Sequence, residues 1–284
     1  METGQGRGAL RGMNKPLSLA KSAAAASWPA LKAVRGELGR RRTLARQPQP
    51  EGVTAPPLRL LLGELRSGYE SWRAWRRPGL SSAESASAAE PCAVMLVPGF
   101  GTHPFRMRAL RRGLVAAGHA VDDWGLGWNM GGTAQQLDLL CATIETAAAR
   151  HGQPIALIGW SLGGLYAREA AKRVPHAVRI VITMGTPFSG DLHANNAWRA
   201  YHWITGQDVA APPVPGDYAA KPPMRTIALW SARDGIVAPR SARGRTGERD
   251  EAVALRCTHL GFASHPSVLG ALIEQLDRSV RGTA

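Results

Sequence analysis

The sequence predicts an α/β fold with a mostly parallel central sheet and helices on both of its faces. From residue 93 onwards, short segments of consecutive apolar residues alternate with longer segments whose apolar residues have helical spacing. Continuously apolar strands are typical of a sheet buried on both faces, and helices between such strands connect parallel neighbours. A length of 284 residues suits one domain of this kind with an N-terminal extension.

The N-terminal extension, residues 1–56, carries most of the excess basic charge. The formal net charge of the chain is +14, and residues 1–50 contain ten Lys or Arg against two Glu, which gives +8. Because the extension is also rich in Ala, Gly and Pro, we expect it to be disordered. Such a tail can make weak contact with an anionic membrane surface. The rest of the chain lacks the basic and aromatic pattern of nucleic-acid-binding modules, so we expect no nucleic-acid partner.

Cysteine usage and hydropathy bear on the cellular location. Cys92, Cys141 and Cys257 are an odd number without the spacing of a metal site or a disulfide framework. This favours a reducing, cytoplasmic compartment, although one pair could bridge in an exported form. No apolar run approaches the length that spans a bilayer. Residues 16–31 superficially resemble a signal peptide, but Lys21 interrupts their weak, Ala-rich core, and we expect no signal.

The segment before the main domain, residues 57–91, divides into two parts. Residues 57–77 place Leu, Tyr and Trp at helical spacing and predict an amphipathic helix. We expect its apolar stripe to pack on the following domain, and a helix lying on a membrane surface is the alternative. Residues 78–91 are rich in Ser and Ala and predict a linker. The main domain then comprises residues 92–284.

The main domain is predicted to consist of strands that alternate with helices. Strands are expected at 93–97, 119–124, 154–158, 179–184, 226–230 and 252–257. Long helices are expected at 105–118, 133–151, 162–174 and 266–280. Residues 191–222 are loop-like, with a short helix within 195–205, and are expected to form a small cap over the strand ends. Open α/β sheets bind ligands at the carboxyl ends of their strands, so we expect the functional site there.

A Gly-x-Ser-x-Gly motif follows the third predicted strand. Gly159 and Gly163 flank Ser161, and a helical pattern begins at Leu162. A serine on a sharp strand-to-helix turn exposes its hydroxyl, and the glycines let the backbone pass without a clash. The motif alone also fits an ordinary glycine-rich turn, so the strand before it and the helix after it carry the argument. They indicate that Ser161 is a catalytic nucleophile.

A serine nucleophile needs a base that takes its proton, and an imidazole does this best near neutral pH. In folds of this class the order along the chain is Ser, then Asp or Glu, then His. Two histidines lie in the right region, His259 and His265. We favour His259, which directly follows a predicted strand. His265 precedes a proline at the start of a predicted helix, a position more typical of a helix cap.

The carboxylate that orients the histidine must be chosen from several acidic residues. Other aspartates between the serine and the histidine are Asp191, Asp208, Asp217 and Asp250. Asp234 directly follows an apolar strand, which favours a catalytic role, although Asp before Gly is also a common turn. Asp191 and His193 could be imagined as metal ligands, but two loop residues are too few for a site. We expect no metal and no organic cofactor.

The oxyanion that forms when serine attacks a carbonyl needs N–H donors that are already in place. One donor is expected to be the amide of Leu162, the residue after the nucleophile. The other is expected in the glycine-containing loop after the strand at 93–97. Phe100 is the first choice for this second donor and Gly101 the alternative.

Five segments taken together resemble the α/β-hydrolase fold. They are Val97-Pro98-Gly99-Phe100-Gly101, Gly159-Trp160-Ser161-Leu162-Gly163-Gly164, Met184-Gly185-Thr186-Pro187, Ser231 to Val237 and His259-Leu260-Gly261-Phe262. Within this fold they are similar to segments of bacterial lipases and esterases, including the inositol-deacylase-like hydrolases. The resemblance covers roughly residues 90–280. Pro98 is a departure, because many relatives carry His before the oxyanion glycine.

The resemblance and the matched residues imply a serine hydrolase that cleaves a small-molecule or lipid ester through an acyl-enzyme. A thioesterase or amidase would use the same residues, and a non-catalytic protein that binds a partner or a lipid surface is the alternative from another class. Gly101, Trp160 and Phe188 are expected to contact the substrate. Trp198 is a further candidate for an apolar acyl pocket, although tryptophans on such loops can equally belong to the core.

Overall fold

The structure, a computed structural model, describes residues 16–69, 72, 90–214 and 216–281, with side chains from residue 30 onwards. Residues 1–15 of the expected disordered extension and residues 78–89 of the expected linker lie outside the described residues. None of the described helices combines the length and the hydropathy that crossing a bilayer requires.

Among the described residues, six parallel strands form one sheet. Their ranges are Ala93–Val97 (β1), Ala120–Asp123 (β2), Ile155–Trp160 (β3), Val178–Met184 (β4), Arg225–Ser231 (β5) and Glu251–Leu255 (β6). Their order across the sheet is β2-β1-β3-β4-β5-β6, and every neighbouring pair is parallel. Each predicted strand is confirmed, and β3 extends two residues beyond its expected end, up to the residue before Ser161.

Helices connect the strands and flank the sheet. Their ranges are Pro16–Ala45 (α1), Leu58–Gly63 (α2), Arg108–Ala116 (α3), Ala134–His151 (α4), Leu162–Arg173 (α5), Trp198–Thr205 (α6), Pro239–Arg243 (α7) and Pro266–Arg281 (α8). Short 3-10 turns lie at Glu64–Arg66, Pro104–Met107, Pro175–Ala177 and Leu260–Ala263. The long helices predicted from the sequence are confirmed, with the first of them divided into a 3-10 turn and α3.

The core has two layers, one on each face of the sheet. Leu96 of β1 packs in the layer that contains Leu110 of α3 and Leu272 of α8. The preceding residue, Met95, packs in the other layer with Leu140 of α4. Successive side chains of a strand point to opposite faces, so a strand that is apolar at every position can be buried on both sides. The predicted fold class is thereby confirmed.

Helix α4 begins and ends at residues suited to those positions. The Thr133 hydroxyl accepts a hydrogen bond from Gln136 N at 3.2 Å, and Gln136 Oε1 accepts one from Thr133 N at 3.0 Å. This reciprocal pair satisfies two amides that have no partner within the helix. Gly152 follows the helix with a φ of 63°, a left-handed conformation that glycine adopts without steric cost.

Helix α1 covers residues for which the composition predicts disorder. Arg40 Nη1 donates to the carbonyl of Gly206, and Arg41 Nη1 donates to that of Ile204, both at 2.7 Å. Hydrogen bonds from Arg40 and then Arg41 lower the pKa of Glu37 to about 2. Basic side chains complement the partial negative charge at the C-terminal end of a helix, here α6. The Ala-rich sequence also favours helix formation, so this region differs from the expectation.

Of the predicted amphipathic helix at 57–77, residues 57–69 and 72 are described and include α2 and the helical turns that follow it, while residues 70, 71 and 73–77 lie outside the described residues. Leu58, Leu62 and Leu65 are 67%, 57% and 85% exposed, whereas Glu64 and Ser67 are buried. The expectation that the apolar stripe packs on the following domain is therefore wrong for these leucines. The helix presents a polar face to the domain because Glu64 makes buried hydrogen bonds there.

Described residues of the expected cap at 191–222 pack against the segments that follow β1 and β3. Trp198, Tyr201 and Val209 form a small apolar cluster, and Phe100 and Leu162 pack against it. Phe100 belongs to the loop after β1, and Leu162 is the first residue of α5. The cap therefore contacts both of the segments that were expected to bind the oxyanion.

Candidate active site

Ser161 occupies the turn between β3 and α5. Its backbone has a φ of 53° and a ψ of −123°, and no other non-glycine residue of the described chain has a positive φ. A side chain in this region strains the backbone, and such strain persists only where the surrounding structure enforces it. Ser161 N donates to the carbonyl of Met184 at 2.8 Å, which ties the turn to the end of β4.

The glycines beside Ser161 let helix α5 approach the sheet closely. A Cβ on Gly159 would lie 2.4 Å from the Cα of Gly164, and a Cβ on Gly163 would lie 2.4 Å from the carbonyl oxygen of Pro98. Backbone atoms cannot move aside as the end of a flexible side chain can. Both positions therefore require glycine, which is the packing reason for the motif.

Asp234 and His259 form a buried hydrogen-bonded pair. Asp234 lies in the loop after β5 and His259 in the loop after β6, and they are 0% and 3% exposed. Asp234 Oδ2 is 2.8 Å from His259 Nδ1. The other oxygen, Oδ1, accepts hydrogen bonds from Ile236 N at 2.8 Å and Val237 N at 2.7 Å. With both oxygens acting as acceptors, Nδ1 carries a proton and the lone pair of Nε2 is available in the neutral ring.

The surroundings of His259 act on its pKa in opposite directions. Burial by itself lowers this pKa, because a buried imidazolium is poorly solvated. The charge of Asp234 and its hydrogen bond raise the pKa, and the charge of Glu64 adds to that effect. These attractions outweigh burial, so the pKa of His259 is raised above its ordinary value. The site therefore stabilises the imidazolium that forms when the ring accepts a proton.

The alternative candidates from the sequence have other partners. His265 Nδ1 lies 2.8 Å from Ser267 Oγ, in the helix-cap position expected for it. The remaining aspartates make contacts elsewhere: Asp191 with His193, Asp208 with the amide of Ala210, Asp217 with the amide of Ala219 and Asp250 with Lys221. Asp234 also makes the local turn contacts expected of Asp before Gly, so the two interpretations of this residue are compatible.

Gly185, directly after β4, lies where the loops of the site meet. A Cβ on Gly185 would be 3.0 Å from Asp234 Oδ2 and 3.1 Å from His259 Nδ1. The preceding residue, Met184, is the one that accepts the amide of Ser161. The end of β4 thus brings the three segments together. Within the described residues the Ser161 hydroxyl makes no hydrogen bond, and Ser161 borders a cavity.

The backbone around Ser161 offers two amides to an oxyanion. Leu162 is the first residue of α5, where an N–H has no partner within the helix. Phe100 N makes no hydrogen bond with any residue of the described chain, whereas Gly101 N donates to the carbonyl of Asn129 at 2.7 Å. Of the two expected alternatives, Phe100 is therefore the available donor.

Asn129 holds the loop after β1 that was expected to bind the oxyanion, and sequence analysis did not find it. Its side-chain amide donates to the carbonyl of Pro98 at 2.7 Å, and its backbone N donates to the carbonyl of Thr102 at 2.9 Å. The side chain is buried. Asn129 lies in the glycine-rich loop after β2, where no local pattern distinguishes it. It supports the loop at Pro98, the position where many relatives carry His.

A cavity opens beside Ser161, between the sheet and the cap. The space in it that is open to the centre of a water-sized molecule is about 80 Å³. Its lining residues are Phe100, Ser161, Leu162, Leu165, Tyr166, Pro187, Leu192, Asn195, Ala197, Trp198, Tyr201, Val209, Pro212, Pro213, Val214, Tyr218, Ile236 and Val237. None of these described residues carries a carboxylate or a basic group. Burial raises the pKa of Tyr201 to about 12 and raises the pKa of Tyr166 and Tyr218 as well, so the cavity wall is uncharged at neutral pH.

Comparison with solved structures identifies the architecture. The mature form of a lipase from Bacillus licheniformis matches with a TM-score of 0.50 and 16% identity, over 67% of this chain and 94% of that chain. The chain has the α/β-hydrolase fold. Two further matches have a TM-score of 0.49. A soluble variant of monoglyceride lipase from Saccharomyces cerevisiae has 14% identity over 68% of this chain and 87% of its own. A 2-hydroxy-6-oxo-6-phenylhexa-2,4-dienoate hydrolase from Rhodococcus sp. strain RHA1 has 13% identity over 66% of this chain and 91% of its own.

No protein-family model matches the sequence, and no curated protein matches it. Identities this low establish the α/β-hydrolase fold alone, because one fold supports many activities. The activity has to be argued from the side chains of the site.

The α/β-hydrolase fold places two of the expected substrate contacts in its core. Trp160 is 2% exposed, and its Nε1 donates to the carbonyl of His259 at 3.2 Å. Phe188 is also buried, and the guanidinium carbon of Arg168 lies 4.2 Å from its ring centroid. Neither side chain lines the cavity, so the expectation for both is corrected. Gly101 does not line it either, whereas Phe100 and Trp198 do.

A cluster in the cap has side chains of the kind that bind metals. Candidate ligand atoms of His193, His202 and Asp208 lie within 4.8 Å of one another. However, His202 Nε2 accepts a hydrogen bond from Val209 N at 3.0 Å, and its Nδ1 lies 3.1 Å from the carbonyl of Leu44. Both ring nitrogens are thus used within the protein. The cluster acts as a hydrogen-bonded network that joins the cap to the end of α1.

Proposed function

We propose that the chain is a serine hydrolase that cleaves carboxylic esters through an acyl-enzyme on Ser161. The observation that carries this proposal is the buried pair of Asp234 and His259, whose imidazole has a free Nε2 at the same sheet edge as the strained Ser161 turn. Similarity of the five quoted segments to lipases and esterases, including the inositol-deacylase-like group, adds support.

In the first half of the reaction, Ser161 Oγ forms a bond to the ester carbonyl carbon, and its proton moves to His259 Nε2. Asp234 accepts a hydrogen bond from Nδ1–H and stabilises the imidazolium. The amides of Phe100 and Leu162 donate to the oxyanion. When the tetrahedral intermediate collapses, the bond to the alkoxy oxygen breaks. His259 gives its proton to that oxygen, and the alcohol leaves.

In the second half, water attacks the acyl carbon while its proton moves to His259 Nε2. Collapse of the second intermediate breaks the bond to Ser161 Oγ, which recovers its proton from the imidazolium. The carboxylic acid leaves and the site returns to its starting state. All proton transfers therefore use a single imidazole, first as base and then as acid.

The wall of the cavity supports an apolar acyl group as the part of the substrate that it holds. Most of its lining side chains are aliphatic, aromatic or proline, and the tyrosines stay neutral. Binding a charged acyl group there would remove its hydration without supplying an opposite charge. We therefore expect esters of unbranched, uncharged fatty acids to be better substrates than esters of dicarboxylic acids.

The first experiment is active-site labelling with a fluorophosphonate. Wild-type protein should be labelled at Ser161, and Ser161→Ala should lose both labelling and hydrolysis of p-nitrophenyl esters, by about 10⁴-fold or more. Ser267→Ala, a serine that does not line the cavity, is the matched control and should keep both. Wild-type protein without labelling or turnover across a broad ester panel would instead favour a non-catalytic binding protein.

The second experiment separates the possible substrate classes. Oxyesters, thioesters and amides with the same acyl chains should be compared by kcat/KM. We expect the oxyester series to be hydrolysed fastest, with an optimum chain length set by the cavity. A preference for thioesters or amides over matched oxyesters would reassign the reaction while leaving the nucleophile in place.

A further inference from the structure

Glu64 reaches the proposed site from outside the predicted catalytic domain. It begins the 3-10 turn after α2, in the segment that precedes residue 92, and it is 4% exposed. A carboxylate is almost never buried to this extent without partners that compensate the lost hydration. The hydrogen-bond partners of Glu64 therefore explain why its carboxylate is buried at this position.

The Glu64 carboxylate accepts hydrogen bonds from both loops that carry the acid and the base. Oε1 accepts from Gly235 N at 2.8 Å and from His259 N at 2.7 Å. Oε2 accepts from Leu260 N at 2.9 Å. Gly235 directly follows Asp234. The Glu64 side chain therefore joins the backbone of the Asp234 loop to the backbone of His259. Its oxygens act only as acceptors, which is the role of an ionised carboxylate.

The backbone next to Glu64 is held against the same loop. A Cβ on Gly235 would lie 2.2 Å from the carbonyl oxygen of Leu60, so glycine is required for this close approach. Asn196 Nδ2 donates both to the carbonyl of Pro56 at 3.0 Å and to that of Gly235 at 2.7 Å. The segment at 56–64 thus forms a fixed support behind the Asp234 loop.

Glu64 also contributes a second negative charge near His259. The imidazole contacts the Asp234 carboxylate at 2.8 Å and the rings of Trp160 and Phe262, and Glu64 lies on the backbone side of the same residue. Burial lowers the pKa of His259, Asp234 raises it, and the charge of Glu64 raises it further. A nearby cation is Arg106, whose Nη2 donates to the carbonyl of Leu260 at 3.2 Å.

We propose that Glu64 is a positioning residue that fixes the Asp234 and His259 loops relative to each other and stabilises the charged imidazole during the reaction. This inference rests on the proposed function. It makes the segment before the catalytic domain part of the working site, although Glu64 itself touches neither the substrate nor the reacting atoms.

The test compares Glu64→Gln, Glu64→Ala and the wild-type protein in full-length form. Gln keeps an oxygen that can accept the Gly235 and His259 amides but loses the charge, whereas Ala leaves all three amides without an acceptor. Glu169→Gln is the matched control, because Glu169 is also buried and is paired with Lys172 away from the site. Folding is followed by circular dichroism and thermal unfolding, and catalysis by kcat, KM and fluorophosphonate labelling rates against pH.

We expect Glu64→Ala to lower kcat by about 100-fold with little change in KM, because a misplaced base is costly even over small distances. Glu64→Gln should lower kcat less. It should also move the acid limb of the pH profile to lower pH, since removing a negative charge lowers the pKa of His259. Glu169→Gln should leave the limb where it is.

The proposal is overturned if the active wild-type protein and the folded Glu64→Gln protein share the same acid limb and the same kcat. It is also overturned if Glu64→Gln only lowers thermal stability, to the degree that Glu169→Gln does. If Glu64→Ala fails to fold, the pH profile of Glu64→Gln tests the proposal by itself. Absence of labelling in the wild-type protein is a separate result, which would refute the proposed hydrolase function before Glu64 is considered.

Discussion

Two opposing effects act on the charged form of the buried His259. Burial disfavours its charged form, while Asp234 at 2.8 Å favours that form. Because both oxygens of Asp234 accept hydrogen bonds, the imidazole is fixed in one orientation and one tautomer. In the proposed reaction, the raised pKa and the fixed tautomer make Nε2 the nitrogen that accepts the Ser161 proton.

This arrangement predicts the pH dependence of the reaction. His259 must be neutral to take the Ser161 proton, and its pKa is raised. We therefore expect kcat/KM to increase with pH along an acid limb whose midpoint lies above about 6.5, the ordinary value for histidine. Titration of the acid released from an alkyl ester measures this without a chromophore that itself ionises.

Asp234→Asn provides the comparison for this prediction. It removes the charge that raises the pKa of His259 and permits the wrong tautomer, so the limb should move to lower pH and kcat should fall by about 10⁴-fold. A wild-type limb below the ordinary histidine value, or one that Asp234→Asn leaves in place, would contradict the assignment of the pair.

At the level of elements, the contact of α5 with the sheet determines the Ser161 turn. Gly159 at the end of β3 faces the backbone of Gly164 in α5, and Gly163 faces the end of β1. These close approaches leave Ser161 with a positive φ and its side chain at the edge of the cavity. The strained turn is held by the packing of the helix that these glycines permit and by the hydrogen bond from Ser161 N to Met184.

We predict that Gly159→Ala destabilises the protein by about 3 kcal/mol, because the added methyl group would collide with backbone that cannot move aside. Gly270→Ala in the middle of α8 is the matched substitution, since a Cβ there meets nothing within 4 Å. It should stabilise the protein by about 0.5–1 kcal/mol through higher helix propensity. Urea unfolding of both variants measures the difference, and equal effects would show that the α5 contact is looser than described.

At the level of the whole molecule, the cavity lies between two parts of the chain, helix α5 and the cap. Leu165 and Tyr166 come from the sheet-flanking helix α5, while Leu192, Trp198 and Tyr201 come from the cap. The cap is in turn bonded to α1 through Arg40 and Arg41. Its position should therefore control which acyl chains fit beside Ser161.

We predict that Leu192→Trp shortens the range of accepted acyl chains. The larger side chain would occupy space in the cavity, so kcat/KM should fall by about 10-fold or more for long-chain esters. Short esters should be hydrolysed as before. Leu139→Trp, at an exposed position of α4, is the control and should not change the chain-length profile. A uniform loss across all chain lengths would show that the substitution disturbs the catalytic residues and not the acyl pocket.

The sequence by itself determined the order of strands and helices, the fold class and the turn that carries Ser161. These features depend on local causes: the spacing of apolar residues, the glycines that a tight turn needs and the residues that begin or end a helix. It also ranked Asp234 and His259 first among their alternatives, because a position directly after a strand places a side chain at the functional edge.

Only the tertiary structure decided which residues support that site. Glu64 and His259 are 195 positions apart, and nothing in the local sequence of either indicates that they meet. Tertiary structure likewise placed Asn129 against the Pro98 loop, and it exposed Leu58 and Leu62 while burying Trp160. The physical reason is that apolar spacing shows which face of an element is apolar. Which partner a face or a buried polar group meets is fixed only when distant segments pack together.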